Sequence, residues 1–526
     1  MAIGLALILL AANLYLGDLN QDEGWYLYAG KQVASGALPY RDFAFTQAPV
    51  APFVYAALWP AVERWGLAGG RLVTAAFGFL TTLLAGLLAA RLVQGSWKRI
   101  AWLLGFSLAA VNVYQAYFMT VVKTYAVCGF FLMAGLYMLA PVRNRRRLWR
   151  SALCGILLAL AAGTRLSAGI ALPIVGVFLL VMRRHYGWGH VFSFGITGLL
   201  ALAGIFLPLY LSAPEGFLFG VLEYHTLRSP GSLPYLLVLK AGFISRFVRA
   251  YFVASCLVII LLAWRWVAGG RRTFRFAAED ALQGGGLLLW LVGFAVTVVH
   301  VSAPFPYDDY QAFVFPVFAA ALAVSICTTF AMLKERFPVL KGQAGERAAL
   351  GLALVVLLST SAAAFASEVN QAWMIRGRDR IWWRMKAKPD LVMLREMGAW
   401  LRARTQPGDL LLTQDTYLAV EAGRDVPAGL ELGPFSYYPD WDTERARTLQ
   451  VMNRERLLAL LMESPAEYAA FSGYGLSIRC PEVDELSAND QEELRAALHE
   501  NYELEKEVPY FGQAHTTLEI YHRTAD

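Results

Sequence analysis

The chain has 526 residues, of which 57% are hydrophobic and only 16% charged. Soluble globular chains carry about 25% charged residues, so one oily core does not account for the deficit and a membrane protein is indicated. The formal net charge of +6 does not point to nucleic acid, because Arg and Lys fall in short clusters between apolar runs, as membrane topology demands. The five cysteines have no metal-ligand spacing and four of them lie in apolar runs, which makes them packing residues and excludes a disulfide framework.

The first residues carry no positive n-region, and Ala11–Asn13 is a poor cleavage site. A retained first helix is therefore expected rather than a signal peptide. Candidate spans follow at 1–17, 71–91, 100–113, 124–141, 151–164, 166–182, 191–211, 248–267, 284–302, 310–332 and 349–367, several of them short for a full crossing. That is about eleven crossings, with the split at Arg165 and several span ends unsettled by length alone. With a cytoplasmic N-terminus, the inner connections hold Lys98/Arg99, Arg143/Arg145–Arg147/Arg150, Arg183/Arg184, Arg271/Arg272/Arg275 and Lys334/Arg336/Lys341. All are basic, and the opposite short loops are poor in charge. The positive-inside rule then puts the C-terminal part outside the cytoplasm, in a multi-pass protein of the plasma membrane.

Two outer segments exceed simple connectors. Asp18–Gly70 contains Gln21–Lys31, with Trp25, Tyr28 and Ala29 on one helical face, and then an aromatic stretch, Ala51–Trp65, broken by Pro52 and Pro60. Ser212–Arg246 is the second. Both suit helices lying in the interface plane. From Glu368 the composition becomes that of a soluble domain. Helical patterns at 389–405, 443–462 and 488–500 alternate with strand-like runs at 410–413, 469–472, 502–508 and 516–521. The expected organisation is a transmembrane helical domain, 1–367, with outer loop 18–70, followed by a small α/β domain, 368–526. The α/β part has no phosphate loop and no nucleophile elbow, so it is expected to support binding or assembly.

The most informative residues are Asp22 and Glu23, just beyond the first span. Taken alone, an acidic pair at a helix start also serves as a cap. The surroundings add to it: Tyr26 and Ala29, then Gly36, Pro39, Tyr40, Asp42, Pro49 and Pro52 ahead of an aromatic helix. This stretch resembles the first outer loop of the GT-C glycosyltransferases that use polyprenyl-phosphate sugars, in particular the protein O-mannosyltransferase and aminoarabinose-transferase group. The resemblance implies a mostly α, polytopic GT-C fold. It also implies a lipid-phosphate-linked sugar donor and a glycan, lipid or protein acceptor.

Carried over, Asp22 matches the catalytic base and Glu23 its acidic neighbour. The base takes the acceptor's proton as the hydroxyl attacks the anomeric carbon with inversion. Cations stabilise the departing phosphate, and the candidates are Lys123, Arg165, His225 and Arg228. Arg165, in Gly-Thr-Arg-Leu-Ser, loosely matches a basic position of the family; as a bland alternative it is a snorkelling interface residue. The acceptor side would draw on Tyr26, Asp42, Asp308 and Asp309, the last two in a Tyr- and Pro-rich late loop where helix capping is the competing role. Several relatives carry a second acid in the loop between Val111 and Tyr125, and this chain has none there. Two carboxylates without a third acid or histidine do not define a metal site, so a magnesium or manganese ion at Asp22/Glu23 is an open alternative. A polytopic transporter or lipid-sugar flippase is the rival function; such folds often show internal repeats and charges within spans.

Overall fold

A computed structural model of the chain describes residues 2–140, 147–227, 232–264, 266–267, 285–336, 342–366, 388–473, 475–476, 486–513 and 516–524. Arg228 lies outside the described residues, as does the side chain of Asp308.

The chain is mostly helical. Helix α1 (Ala2–Leu16) leads to α2 (Gln21–Ala34), the short α3 (Val50–Ala57) and α4 (Trp59–Trp65), and then α5 (Leu67–Leu92). Four helices, Leu67–Leu92, Trp188–Ser212, Phe315–Lys334 and Gln343–Ala362, are long and apolar enough to cross a membrane. The pair Leu233–Ala250 and Phe252–Trp264, bent by 74°, is a fifth candidate, and shorter apolar helices run at Ala2–Leu16, Thr124–Leu139, Leu148–Thr164, Leu166–Val181 and Gly286–Ser302. Leu199, Leu200 and Leu211 on Trp188–Ser212 are exposed, which suits lipid far better than water. The run containing Arg165 is interrupted at that residue. Helix Leu148–Thr164 stops, Arg165 is extended (φ −145°, ψ 122°), and a 3-10 turn, Leu166–Ile170, restarts the helix.

The C-terminal part holds a four-stranded sheet of order β1-β2-β4-β3, formed by β1 (Leu411–Thr413), β2 (Tyr468–Phe471), β3 (Tyr502–Phe511) and β4 (Thr516–Arg523). β1 and β2 pair in parallel, the other neighbours antiparallel. β1 and β2 are buried throughout, whereas the edge strand β3 exposes Glu503 and Glu505, charges that discourage edge pairing. The helical pattern at 443–462 divides into Thr443–Thr448 and Arg454–Glu463, because Gln450 takes φ 57° and Asn453 caps the second helix through Arg456 N.

Helix α2 departs from the interface-lying arrangement expected of it, whereas Phe53, Leu58 and Trp65 of the following aromatic stretch are exposed. Glu23–Gly30 are all buried in protein. Trp25, Tyr28 and Phe45 share one apolar core with Leu394, Leu418 and Phe435 of the C-terminal part. A side chain at Gly24 would stand 2.5 Å from Thr416 Oγ1 and Tyr417 N, so glycine lets α2 and helix Thr416–Ala422 meet backbone to backbone. Polar contacts fasten the same seam. Asp390 Oδ2 accepts from Leu19 N (2.8 Å), Gln513 Oε1 from Gln21 N (2.9 Å), and Glu421 Oε2 from Leu67 N at the start of α5 (2.9 Å). Tyr28 donates to Asp425 (3.0 Å), and Lys31 pairs with Asp425 at 2.8 Å.

Candidate active site

Helix α2 begins with a capping box. Asn20 Oδ1 accepts from Asp22 N (3.0 Å), and Glu23 Oε2 accepts from Asn20 N (3.0 Å). Asp22 and Glu23 take the second and third helical positions after this cap and point in different directions, which separates the two acids. Glu23 is fully enclosed. Its Oε1 accepts from Arg71 Nε (2.8 Å) and Val122 N (3.0 Å), and its Oε2 accepts from Arg71 Nη2 (2.6 Å) as well as Asn20 N. Arg71 is also fully buried, and it donates onward to the carbonyls of Leu14 (3.1 Å), Gly17 (2.9 Å) and Asp18 (2.9 Å). This pair binds α5 to both ends of the loop that carries Asp22. Sequence reading missed Arg71. Its signal was a lone charge at the edge of the apolar run 71–91, which is a functional candidate by default.

Asp22 keeps a quarter of its side chain exposed (25%). Its Oδ1 accepts from Trp25 Nε1 (3.3 Å), and its Oδ2 pairs with Lys123 Nζ at 2.9 Å. The same ammonium donates to Asp309 Oδ2 at 3.0 Å and lies over the Phe118 and Tyr125 rings. Lys123 therefore stands between two carboxylates from distant parts of the chain, Asp309 lying 186 residues from it in sequence. Asp309 thus brings a second carboxylate to Lys123 from a different loop. Asp309 does not cap its helix: the turn Asp308–Gln311 starts at Tyr307 without a side-chain cap. Its Oδ1 is buried and has no hydrogen-bond partner.

Arg165 completes the cluster. Its Nη1 donates to Thr124 Oγ1 (3.0 Å), its guanidinium lies over Tyr125 (4.6 Å) and Tyr310 (4.9 Å), and its Nε is buried without a partner. The break in the helix at Arg165 is what turns this side chain inward. Behind it, His300 Nε2 shares a hydrogen bond with Ser167 Oγ (2.9 Å), and Nδ1 one with Gln311 Nε2 (3.2 Å). Tyr26 stacks on Trp25 at 3.7 Å and reaches Thr124. Burial holds the Tyr26 phenol well above its ordinary value; Arg165 draws it down, Asp22 pushes it up and Lys123 again lowers it. It stays a neutral donor.

The structure thus gathers Asp22, Tyr26, Lys123, Arg165 and Asp309, with Glu23 beneath them. Asp42 is elsewhere. It closes its own turn, accepting from Leu38 N (2.7 Å) and pairing with Arg41 at 2.7 Å, whose guanidinium holds the carboxyl below the usual range. His225 sits on the turn Tyr224–Thr226 with its ring against Tyr224. For a divalent metal the donor set fits poorly, because Lys123 takes one oxygen of each free acid and Glu23 is spent on Arg71. Among the described residues no cluster of three or more His, Cys, Asp or Glu is suited to a metal ion.

This helical bundle, with a helix broken at Arg165, an enclosed loop 18–70 and a C-terminal sheet packed on it, shares the GT-C fold with solved structures. The chain is similar in structure to ArnT from Cupriavidus metallidurans in the apo state, with TM-score 0.58 and 15% identity over 99% of this chain and 97% of that one. It is equally similar to ArnT from the same organism bound to undecaprenyl phosphate, with TM-score 0.59 and 14% identity over the same shares. No protein-family model matches the sequence, and no curated protein matches it.

Proposed function

We propose that the chain is a membrane glycosyltransferase that moves a sugar from a polyprenyl-phosphate donor to an acceptor hydroxyl at the outer face of the membrane. The observation that carries the reading is Asp22: a partly open carboxylate on a capped helix, paired with Lys123, in a fold shared with a protein whose structure holds undecaprenyl phosphate. Asp22 takes the acceptor's proton, the acceptor oxygen bonds to the anomeric carbon with inversion, and the carbon–oxygen bond to phosphate breaks. Arg165, with Lys123, faces the departing phosphate and stabilises its added charge. Asp309 Oδ1 and Tyr26 orient hydroxyls of the sugar or acceptor. Glu23 is a positioning residue that fixes α2 through Arg71.

On this reading the chain makes about eleven crossings, with basic loops inside and residues 368–526 forming an extracytoplasmic α/β domain. A periplasm-active reporter fused after Asp526 is expected to be active; activity of only a cytoplasm-active reporter would reverse the topology. Incubation of the purified protein with a panel of polyprenyl-phosphate sugars, followed by mass spectrometry, is expected to show sugar transfer that is lost in Asp22→Asn. Full transfer by Asp22→Asn would end the proposed mechanism, and absence of transfer from every donor would bring forward the transporter or flippase.

A further inference from the structure

A carboxylate pair in an acyl- or glycosyl-transfer site invites a bridging divalent cation, and the geometry here answers the question with a side chain. Lys123 Nζ lies 2.9 Å from Asp22 Oδ2 and 3.0 Å from Asp309 Oδ2, and its side chain is 6% exposed. It is placed by the extended backbone of Lys123 (φ −141°, ψ 175°) just before helix Thr124–Leu139. Tyr55 Oη donates to its carbonyl at 3.3 Å, and two aromatic rings flank its ammonium. Ammonium is a compact, strongly charged donor, and cation–π contact with the flanking rings adds to its hold.

We infer that the Lys123 ammonium occupies the place between Asp22 and Asp309 that a divalent cation would take, so that the site works without a resident metal. A metal there would have to expel a buried, doubly paired lysine. It would then find only two carboxylates, Asp22 and Asp309, since Glu23 has both oxygens committed to Arg71, Val122 N and Asn20 N. His300 is held by Ser167 and Gln311. Magnesium needs near-octahedral oxygen coordination and gives up water reluctantly, which makes that exchange unfavourable. The inference rests on the proposed transferase reading for its meaning, but its main test does not use transfer.

Mn2+ is titrated into the full-length protein in lipid nanodiscs and followed by electron paramagnetic resonance. The wild type is expected to hold no site-bound Mn2+. K123M removes the charge at nearly the same length, and it is expected to bind Mn2+ about tenfold or more tightly than the wild type, because ligand charge sets such affinities over decades. K123M/D309N is expected to lose that gain. One Mn2+ per wild-type chain, lost in D309N, overturns the inference; so does a K123M protein that melts like wild type and gains no Mn2+ affinity. Where a donor has been demonstrated, transfer is expected to be unchanged by EDTA, and abolition by EDTA with restoration by Mn2+ overturns it again. Failure to find any donor leaves the Mn2+ arms intact, so the two readings fail separately.

Discussion

Asp22 and Glu23 are adjacent in sequence, yet the structure assigns them opposite costs. In Glu23→Gln, whichever oxygen becomes an amide meets two N–H donors: Arg71 Nε and Val122 N on one side, Arg71 Nη2 and Asn20 N on the other. No rotamer relieves this, so the usual conservatism of the exchange fails. Removing one partner of a buried ion pair costs about 3–5 kcal/mol, and donors left facing donors keep the value at that level. Asp22 loses less on becoming Asn, because its side chain faces water on one side, its bond from Trp25 survives on the remaining oxygen, and Lys123 keeps Asp309 as a partner. Loss of a general base, however, lowers the rate about 10²–10⁴-fold.

The two variants therefore separate in a paired assay. Thermal unfolding in nanodiscs at one fixed scan rate reads stability in kinetic form, as suits a large membrane protein. Single-turnover transfer with enzyme in excess reads chemistry. Asp22→Asn is expected to melt within a few degrees of wild type and to lose transfer. Glu23→Gln is expected to melt early, with transfer per folded molecule reduced far less. A Glu23→Gln protein that melts normally but loses transfer to the same extent as Asp22→Asn would refute the division, because Glu23 would then be touching the reacting atoms.

Arg165→Ala is expected to raise the donor KM more than it lowers kcat, by about 2–5 kcal/mol of binding where the phosphate is fully paired; unchanged donor titration reduces Arg165 to an anchor. Asp390→Ala removes the acceptor for Leu19 N, three residues ahead of Asp22, and is expected to slow transfer and increase proteolytic cutting between Gly17 and Gln21, whereas unaltered protection would show that the C-terminal part does not hold the loop. Burial pushes Glu431 up to about 7 from 4.5, against the lowering pull of the Gly429 N–H. A carboxyl raised in the folded state binds its proton more tightly there than when unfolded, so its contribution is complete below pH 4.5, falls as pH rises towards 7 and is gone above it. Melting of the C-terminal part is expected to decline across that window in the wild type and less so in Glu431→Gln; identical pH profiles would remove Glu431 as the cause.

Sequence periodicity reaches what is local. The break at Arg165 shows as a charge between two apolar runs, and the runs at 410–413, 469–472 and 516–521 lie within two residues of the strands' ends. The capping box Asn20…Glu23, seen in the structure, is likewise local in sequence and distinguishes Glu23 from Asp22. Pairings across the fold were not. Lys123 meets Asp309 over 186 residues, Arg71 meets Glu23 over 48, and Asp390 meets Leu19 over 371. Nothing in spacing encodes such contacts, since they depend on how the helices pack. The burial of α2 was hidden for the same reason: an aromatic amphipathic face suits a membrane interface and a protein seam equally well. Gly24, which permits the seam, has no signature before its neighbour is known.

The site's charges bear on how the reaction proceeds. Asp22, Asp309, Lys123 and Arg165 cancel formally before the donor arrives, and Glu23 with Arg71 is neutral by itself. On the proposed function, as the acceptor's proton moves to Asp22 that carboxylate loses its charge while the leaving phosphate gains one. Lys123, until then shared between two carboxylates, is then drawn more strongly to the phosphate side. Its attraction is strongest at the transition state and weaker in the bound ground state, which is the condition for raising kcat rather than tightening binding. Lys123→Met is therefore expected to lower kcat with donor KM nearly unchanged, the opposite split from Arg165→Ala. Pre-steady-state measurement of donor binding and of the chemical step in both variants tests this. A Lys123→Met protein with full kcat and a raised KM would place the lysine among the simple donor anchors, and the coupling between proton uptake by Asp22 and phosphate departure would fall with it.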